Sequence, residues 1–175
     1  RTVVLRKLGR NSIGGVGAAT LKPGLAYAYF KGESVSNAPD LDDPMAWAGG
    51  SYTFSLKRQG VTDTIAIPED VARSQFALRF SGYLVVPQSG HYRFFANADD
   101  ECRIHIDDEL VVNNHGRKVL PDLGMMELYG DVPLSNGLHR IRIDYHQMHR
   151  AYGLDVQWQG PGIPKQPIPT ANLMH

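Results

Sequence analysis

The sequence predicts an all-β protein, folded as an antiparallel sandwich or barrel, on three observations. Helix signals are nearly absent. Apolar and polar residues alternate with a period of two in several separate runs. Those runs are short and end at Gly or Pro, of which the 175 residues contain 18 and 11. Short alternating strands divided by turn residues are the pattern of antiparallel sheets that each bury one face.

Residues 1–20 hold one apolar run, TVVL, followed by the glycine-rich GRNSIGGVGAAT, which cannot close a core alone. They are expected to be the last strand of a preceding β-domain plus a linker, leaving residues 21–175 as the sandwich. The stretch 31–50 reads as irregular loop, with Trp47 packed as a lid on the core rather than holding a ligand. Phe76, Leu78 and Phe80 alternate with Ala77, Arg79 and Ser81, and the run continues through Val86 to a Pro87-Gln88-Ser89-Gly90 turn. Beyond it Tyr92 and Phe94 alternate with His91 and Arg93, which predicts a hairpin across that turn. Ile104 and Ile106 form the next strand, and Asp107-Asp108 reads as a tight turn with acidic residues at left-handed positions. Ile141, Ile143 and Tyr145, then Leu154, Val156 and Trp158, give two later strands. The proline-rich GPGIPKQPIP, residues 160–169, suits an extended edge or tail rather than a central strand.

Composition narrows the function. Lys+Arg and Asp+Glu both number 18, and no basic block points to nucleic acid or a membrane surface. No run approaches transmembrane length, and no signal peptide is present. The chain opens on Arg1, and is expected to be a piece of a longer precursor. Cys102 alternates with Ile104 and Ile106, so it is expected to be a small buried apolar residue rather than a nucleophile.

Asp99-Asp100, at the head of a strand, is the pair that carries a chemical question. Adjacent carboxylates suit a solvated turn, and they equally suit Ca²⁺, which takes about six to eight oxygen ligands. They do not suit glycoside hydrolysis, in which two acids face each other across a bond, because neighbours at a strand end point apart. His146 and His149 have an H-x-x-H spacing, yet no third ligand of zinc character lies near them in sequence, and surface histidines are expected. Asn113, Asn114 and His115 follow the tight hairpin and are expected near the Asp99 end, with Asn113 as a contact for ion or ligand.

FALRFSGYLVVPQSGHYRFFANADDECRIHIDDELVVNN, followed by GLHRIRIDY and GLDVQWQGPGIPKQPIP, resembles the protective-antigen-type domain, the PA-14 module. The similarity runs from about Gly24 to Leu173 and includes the VP-x-SG-x-Y turn, the paired aspartates and the ID-x-x-LVV hairpin. It implies a β-sandwich or barrel of the kind appended to glycosidases, adhesins and toxins. It also implies that Asp99 and Asp100 are joined by a cis peptide and together grip one Ca²⁺, whose open positions take two neighbouring sugar hydroxyls. Glu101 stands where members usually carry Gly, and the second calcium loop reads YHQMHRAYG at residues 145–153 instead of being rich in Gly and Asn. A sugar site shaped by that loop would use Gln147, His149, Arg150 and Tyr152.

The closing PGIPKQPIP resembles module copies carried by bacterial glycoside hydrolases, and RTVV…GRNS is similar to the final strand of the β-domain in β-N-acetylhexosaminidases of family 20. The resemblance therefore implies a non-catalytic, carbohydrate-binding accessory domain of a secreted, periplasmic or cell-surface glycoside hydrolase. Its partners would be a glycan or glycoconjugate and the catalytic domain of the same parent chain. The alternative is a structural module that packs on or shields that catalytic domain and has no ligand of its own. No catalytic set argues for an independent enzyme.

Overall fold

The computed structural model describes residues 21–34, 52–72, 74–114, 125–147 and 152–175. They form two antiparallel sheets packed face to face. The strands are β1 (Leu25–Ser34), β2 (Tyr52–Thr62), β3 (Phe76–Val86), β4 (Gly90–Asp99), β5 (Glu101–Ile106), β6 (Glu109–Asn114), β7 (Met126–Leu134), β8 (Gly137–Gln147), β9 (Gly153–Gly160), β10 (Ile163–Pro167) and β11 (Leu173–Met174). The large sheet runs β2-β1-β3-β8-β5-β6, and β11 pairs with the half of β3 that lies beyond the end of β1. The small sheet runs β10-β9-β4-β7. Among the described residues no helix is long and apolar enough to cross a membrane.

The core follows from the alternation. Leu78, Phe80 and Leu84 of β3 and Ile141, Ile143 and Tyr145 of β8 point inward from the large sheet. Tyr92, Phe94 and Ala96 of β4 and Val156 and Trp158 of β9 meet them from the small one, and the Tyr92 ring stacks on Trp158 at 5.6 Å. Each large side chain fully buried in this way contributes about 1.5–3 kcal/mol. Cys102 lies in the same core, and burial pushes its thiol well above the ordinary cysteine range.

Two expectations need correction. Phe76–Val86 and Gly90–Asp99 do not form a hairpin, because β3 belongs to the large sheet and β4 to the small one. The Pro87–Ser89 link is a corner that carries the chain across the core; Asn136, from the neighbouring corner, donates its side-chain amide to the Val86 and Pro87 carbonyls and its backbone N–H to Ser89 Oγ. Residues 31–34, read as loop, continue β1, with Lys31 opposite Phe76 and Ser55. Residues 1–20, with their linker reading, and Trp47 lie outside the described residues.

Other expectations are met. Asp107 and Asp108 both have positive φ, 51° and 67°, at the β5–β6 turn. Each of them is also used. Asp107 Oδ1 accepts from the Arg140 backbone N–H at 2.9 Å, its Oδ2 lies 2.7 Å from His139 Nδ1, and Asp108 pairs with the Arg140 guanidinium. The proline-rich β10 lies at a sheet edge, where a missing N–H costs no ladder bond.

Candidate functional site

Asp99 ends β4 and Glu101 begins β5, so the Asp99-Asp100 pair sits where the chain leaves the small sheet for the large. The same pole collects the end of β8 and the start of β9. Asp99 lies opposite Gly153, Glu101 opposite His146, and Gln147 opposite Phe76. The peptide bond between the two aspartates is cis, the geometry that the resemblance implies. Asp99 is buried and Asp100 half-buried, so the pair stands at the rim of the sandwich.

Tyr145 pins this pole from inside. Its ring is fully buried, in contact with Phe76 at 5.8 Å. Its hydroxyl donates to the Asp99 carbonyl and lies 2.9 Å from Gln147 Oε1. Burial pushes the phenol far above its ordinary range; a backbone hydrogen bond with Gly153 opposes this, and the Asp100 and Asp99 carboxylates reinforce it. The hydroxyl therefore keeps its proton and, donating to the Asp99 carbonyl while accepting from the Gly153 backbone N–H, joins β4, β8 and the head of β9.

The expected site residues are placed unequally. Asp99, Asp100, Gln147 and Tyr152 share the pole. Gln147 is buried beside Tyr145, whereas Tyr152 is exposed, with its ring edge against Phe76 at 6.2 Å. Asn113 is exposed, and its side-chain oxygen accepts from Arg103 Nε at 3.3 Å. Its neighbour Asn114 points inward instead, donating to the Ala96 carbonyl at 3.1 Å and the Met126 carbonyl at 2.7 Å. His149 and Arg150 lie outside the described residues, as does His115. His146 is buried, 3.9 Å from Glu101 Oε2 and edge-on to Phe54, rather than on the surface.

Sequence reasoning missed Tyr145 and Asn114 as organisers of this pole. The signal for Tyr145 was its place in the Ile141, Ile143, Tyr145 alternation, where the only polar atom in an apolar row requires a partner. For Asn114 it was the parity with Val112, which assigns it to the inner face.

Two adjacent carboxylates are hard oxygen donors and suit a hard cation. Among the described residues no group of three or more His, Cys, Asp or Glu converges, so further oxygens would have to be backbone or amide groups or come from outside those residues.

Comparisons with known proteins agree with this architecture. No curated protein sequence matches the chain significantly. The Epithelial Adhesin 9 A domain from Candida glabrata, solved in complex with Galβ1-4GlcNAc, superposes with a TM-score of 0.68 at 14% identity, over 96% of each chain. The PA14 sugar-binding domain from an RTX adhesin gives 0.64 at 17% identity, over 87% of this chain and 98% of that one. An anti-sigma factor domain-containing protein from Clostridium clariflavum gives 0.62 at 21% identity over 86% of this chain, which spans 47%, about half, of that protein. These likenesses concern the fold. The family model of the PA14 domain matches residues 21–172, and the chain belongs to that family.

Proposed function

We propose that this chain is a carbohydrate-binding accessory module whose Asp99-Asp100 pole takes the terminal sugar of a glycan through Ca²⁺. The observation that carries the reading is the pair itself, at a corner between the sheets with its backbone held by the buried Tyr145 hydroxyl. The fold likeness to an adhesin domain solved with a bound disaccharide supports it. The ion, bound there, would supply open coordination positions for two neighbouring hydroxyls. Gln147, Tyr152, His149 and Arg150 would shape the rim. The module belongs, on this reading, to a secreted glycoside hydrolase of the β-N-acetylhexosaminidase kind, and keeps its catalytic domain near substrate by raising local concentration.

A structural module without a ligand is the second reading. The contact of Glu101 with His146 favours it, because a carboxylate and a buried histidine occupy the position beside the pair where a glycine would leave room.

Thermal unfolding in excess Ca²⁺ and in EDTA tests the first reading, for wild type and Asp99→Asn. A ligand at about 100 times its dissociation constant stabilises the folded state by about 2.7 kcal/mol, which raises the midpoint of a domain this size by roughly 5–10 °C. The expected result is such a rise in wild type and none in the variant. Equal midpoints in both solutions for wild type would leave the structural module.

A further inference from the structure

We propose that the outer face of the small sheet is a second saccharide-binding surface, for neutral oligosaccharides, which works without a metal ion. The face is laid out in register. Asp131, Arg93 and Gln159 form one row across β7, β4 and β9, and Tyr129, Phe95 and Gln157 form the next. Tyr129 is 59% exposed, more than any other large hydrophobic side chain among the described residues.

Its ring is nonetheless held. The Arg93 guanidinium lies over it at 4.2 Å, and Phe95 sits 6.1 Å away at a 52° tilt. Arg93 is itself fixed by two hydrogen bonds, Nε to Asp131 Oδ1 at 2.7 Å and Nη2 to Asp131 Oδ2 at 2.8 Å. Lys165 crosses Phe95 at 4.3 Å and ends on Glu127; each ring thus has a cation over it, but Phe95 is buried, and it is Tyr129 that meets solvent. A depression of 460 Å³ adjoins the first row, walled by His91, Arg93, Asp131, Gln159, Gly160 and Pro161.

This chemistry selects the occupant. A pyranose has an apolar C–H face and an edge of hydroxyls. An exposed ring held beneath Arg93 suits the first, and the mutually fixed Arg93 and Asp131, with Gln159 beside them in the row, suit the second. Ordering costs little, since the ring and the guanidinium are already in place. The charges pair off, Arg93 with Asp131 and Lys165 with Glu127, so no net field attracts an anionic polymer or lipid. One open ring is too little apolar surface for a stable protein interface, which needs about 1,000 Å². Arg93 is six residues from Asp99 on β4, about 20 Å along the strand, so this surface is separate from the proposed calcium pole and does not depend on it.

The test is native electrophoresis in EDTA through gels containing glycol chitin, hydroxyethyl cellulose or soluble xylan. Wild type and Asp99→Asn are expected to be retarded equally by at least one polymer. Tyr129→Ala and Arg93→Ala are expected to bind at least tenfold more weakly, while the thermal midpoint of Tyr129→Ala stays at the wild-type value. Three results would overturn the proposal: no retardation by any polymer, retardation that Tyr129→Ala leaves intact, or self-association in light scattering that Tyr129→Ala abolishes. Binding that needs Ca²⁺ and Asp99 but not Tyr129 would support the calcium pole and overturn this face alone.

Discussion

The Tyr145 hydroxyl has one proton, directed at the Asp99 carbonyl, with Gln147 Oε1 2.9 Å away. Removing it deletes a buried hydrogen bond at the corner that positions both aspartates, which costs about 0.5–1.5 kcal/mol. Tyr145→Phe is therefore expected to lower the urea midpoint with an unchanged slope, the shift multiplied by that slope giving this free energy. On the proposed calcium reading it is also expected to weaken Ca²⁺ binding in calorimetric titration, though it touches no carboxylate. A loss of stability with calcium binding untouched would mean that Tyr145 serves the core alone. The aspartates were legible as a pair from their residue types. Tyr145 was legible only as a core residue, since nothing local to residue 145 reveals that residue 99 lies above it.

β6 and β7 show the same division between local and distant causes. β6 was legible as the second arm of the Asp107-Asp108 hairpin, whereas β7 was not read as a strand, and the register shift at Ile104/His105, which leaves Val111 as an extra residue opposite β5, shows only in the fold. Gly130 of β7 passes directly over that position, where a Cβ would collide with the Val111 carbonyl. Backbone cannot give way as a side-chain tip can. Gly130→Ala is expected to cost about 1–3 kcal/mol by overpacking, read as a fall in thermal midpoint. An unchanged midpoint would show that β7 can shift away from β6. The β3–β4 link belongs here too. Pro87-Gln88-Ser89-Gly90 has the composition of a hairpin turn, and that composition serves equally well for a corner between sheets.

Taken together, the charged groups spread over both sheets with no excess of either sign, and one of them gives the molecule a pH response. His105 lies on the outer face of the large sheet, opposite Arg142. Burial lowers its pKa below the ordinary 6.5; Arg142 lowers it further, Asp144 opposes, and Arg103 and Arg79 add smaller repulsion. The unfolded chain therefore takes up the proton first. The stability that His105 contributes is complete above about 6.5 and is lost as pH falls through its folded value. His105→Gln is expected to unfold with a shallower loss of midpoint than wild type between pH 7 and pH 5, about the range over which histidines titrate. Parallel curves would show that His105 gains its proton equally in both states.

Alternating burial is a property of a strand's own residues, so β3, β5, β8 and β9, the buried Cys102 and the left-handed Asp107-Asp108 turn were all visible in the chain before folding. So were the edge position of the proline-rich β10 and the membership of Asp99 and Asp100 in one corner. Which sheet a strand joins depends on pairing between residues far apart in sequence. The crossing from β3 to β4 and the closing of β11 onto β3 therefore appear only in three dimensions. The same holds for the convergence of β4, β8 and β9 on Tyr145. It holds most clearly for the outer row of Arg93, Asp131 and Gln159: three polar residues on three strands, each unremarkable alone, become a surface because antiparallel register sets them side by side.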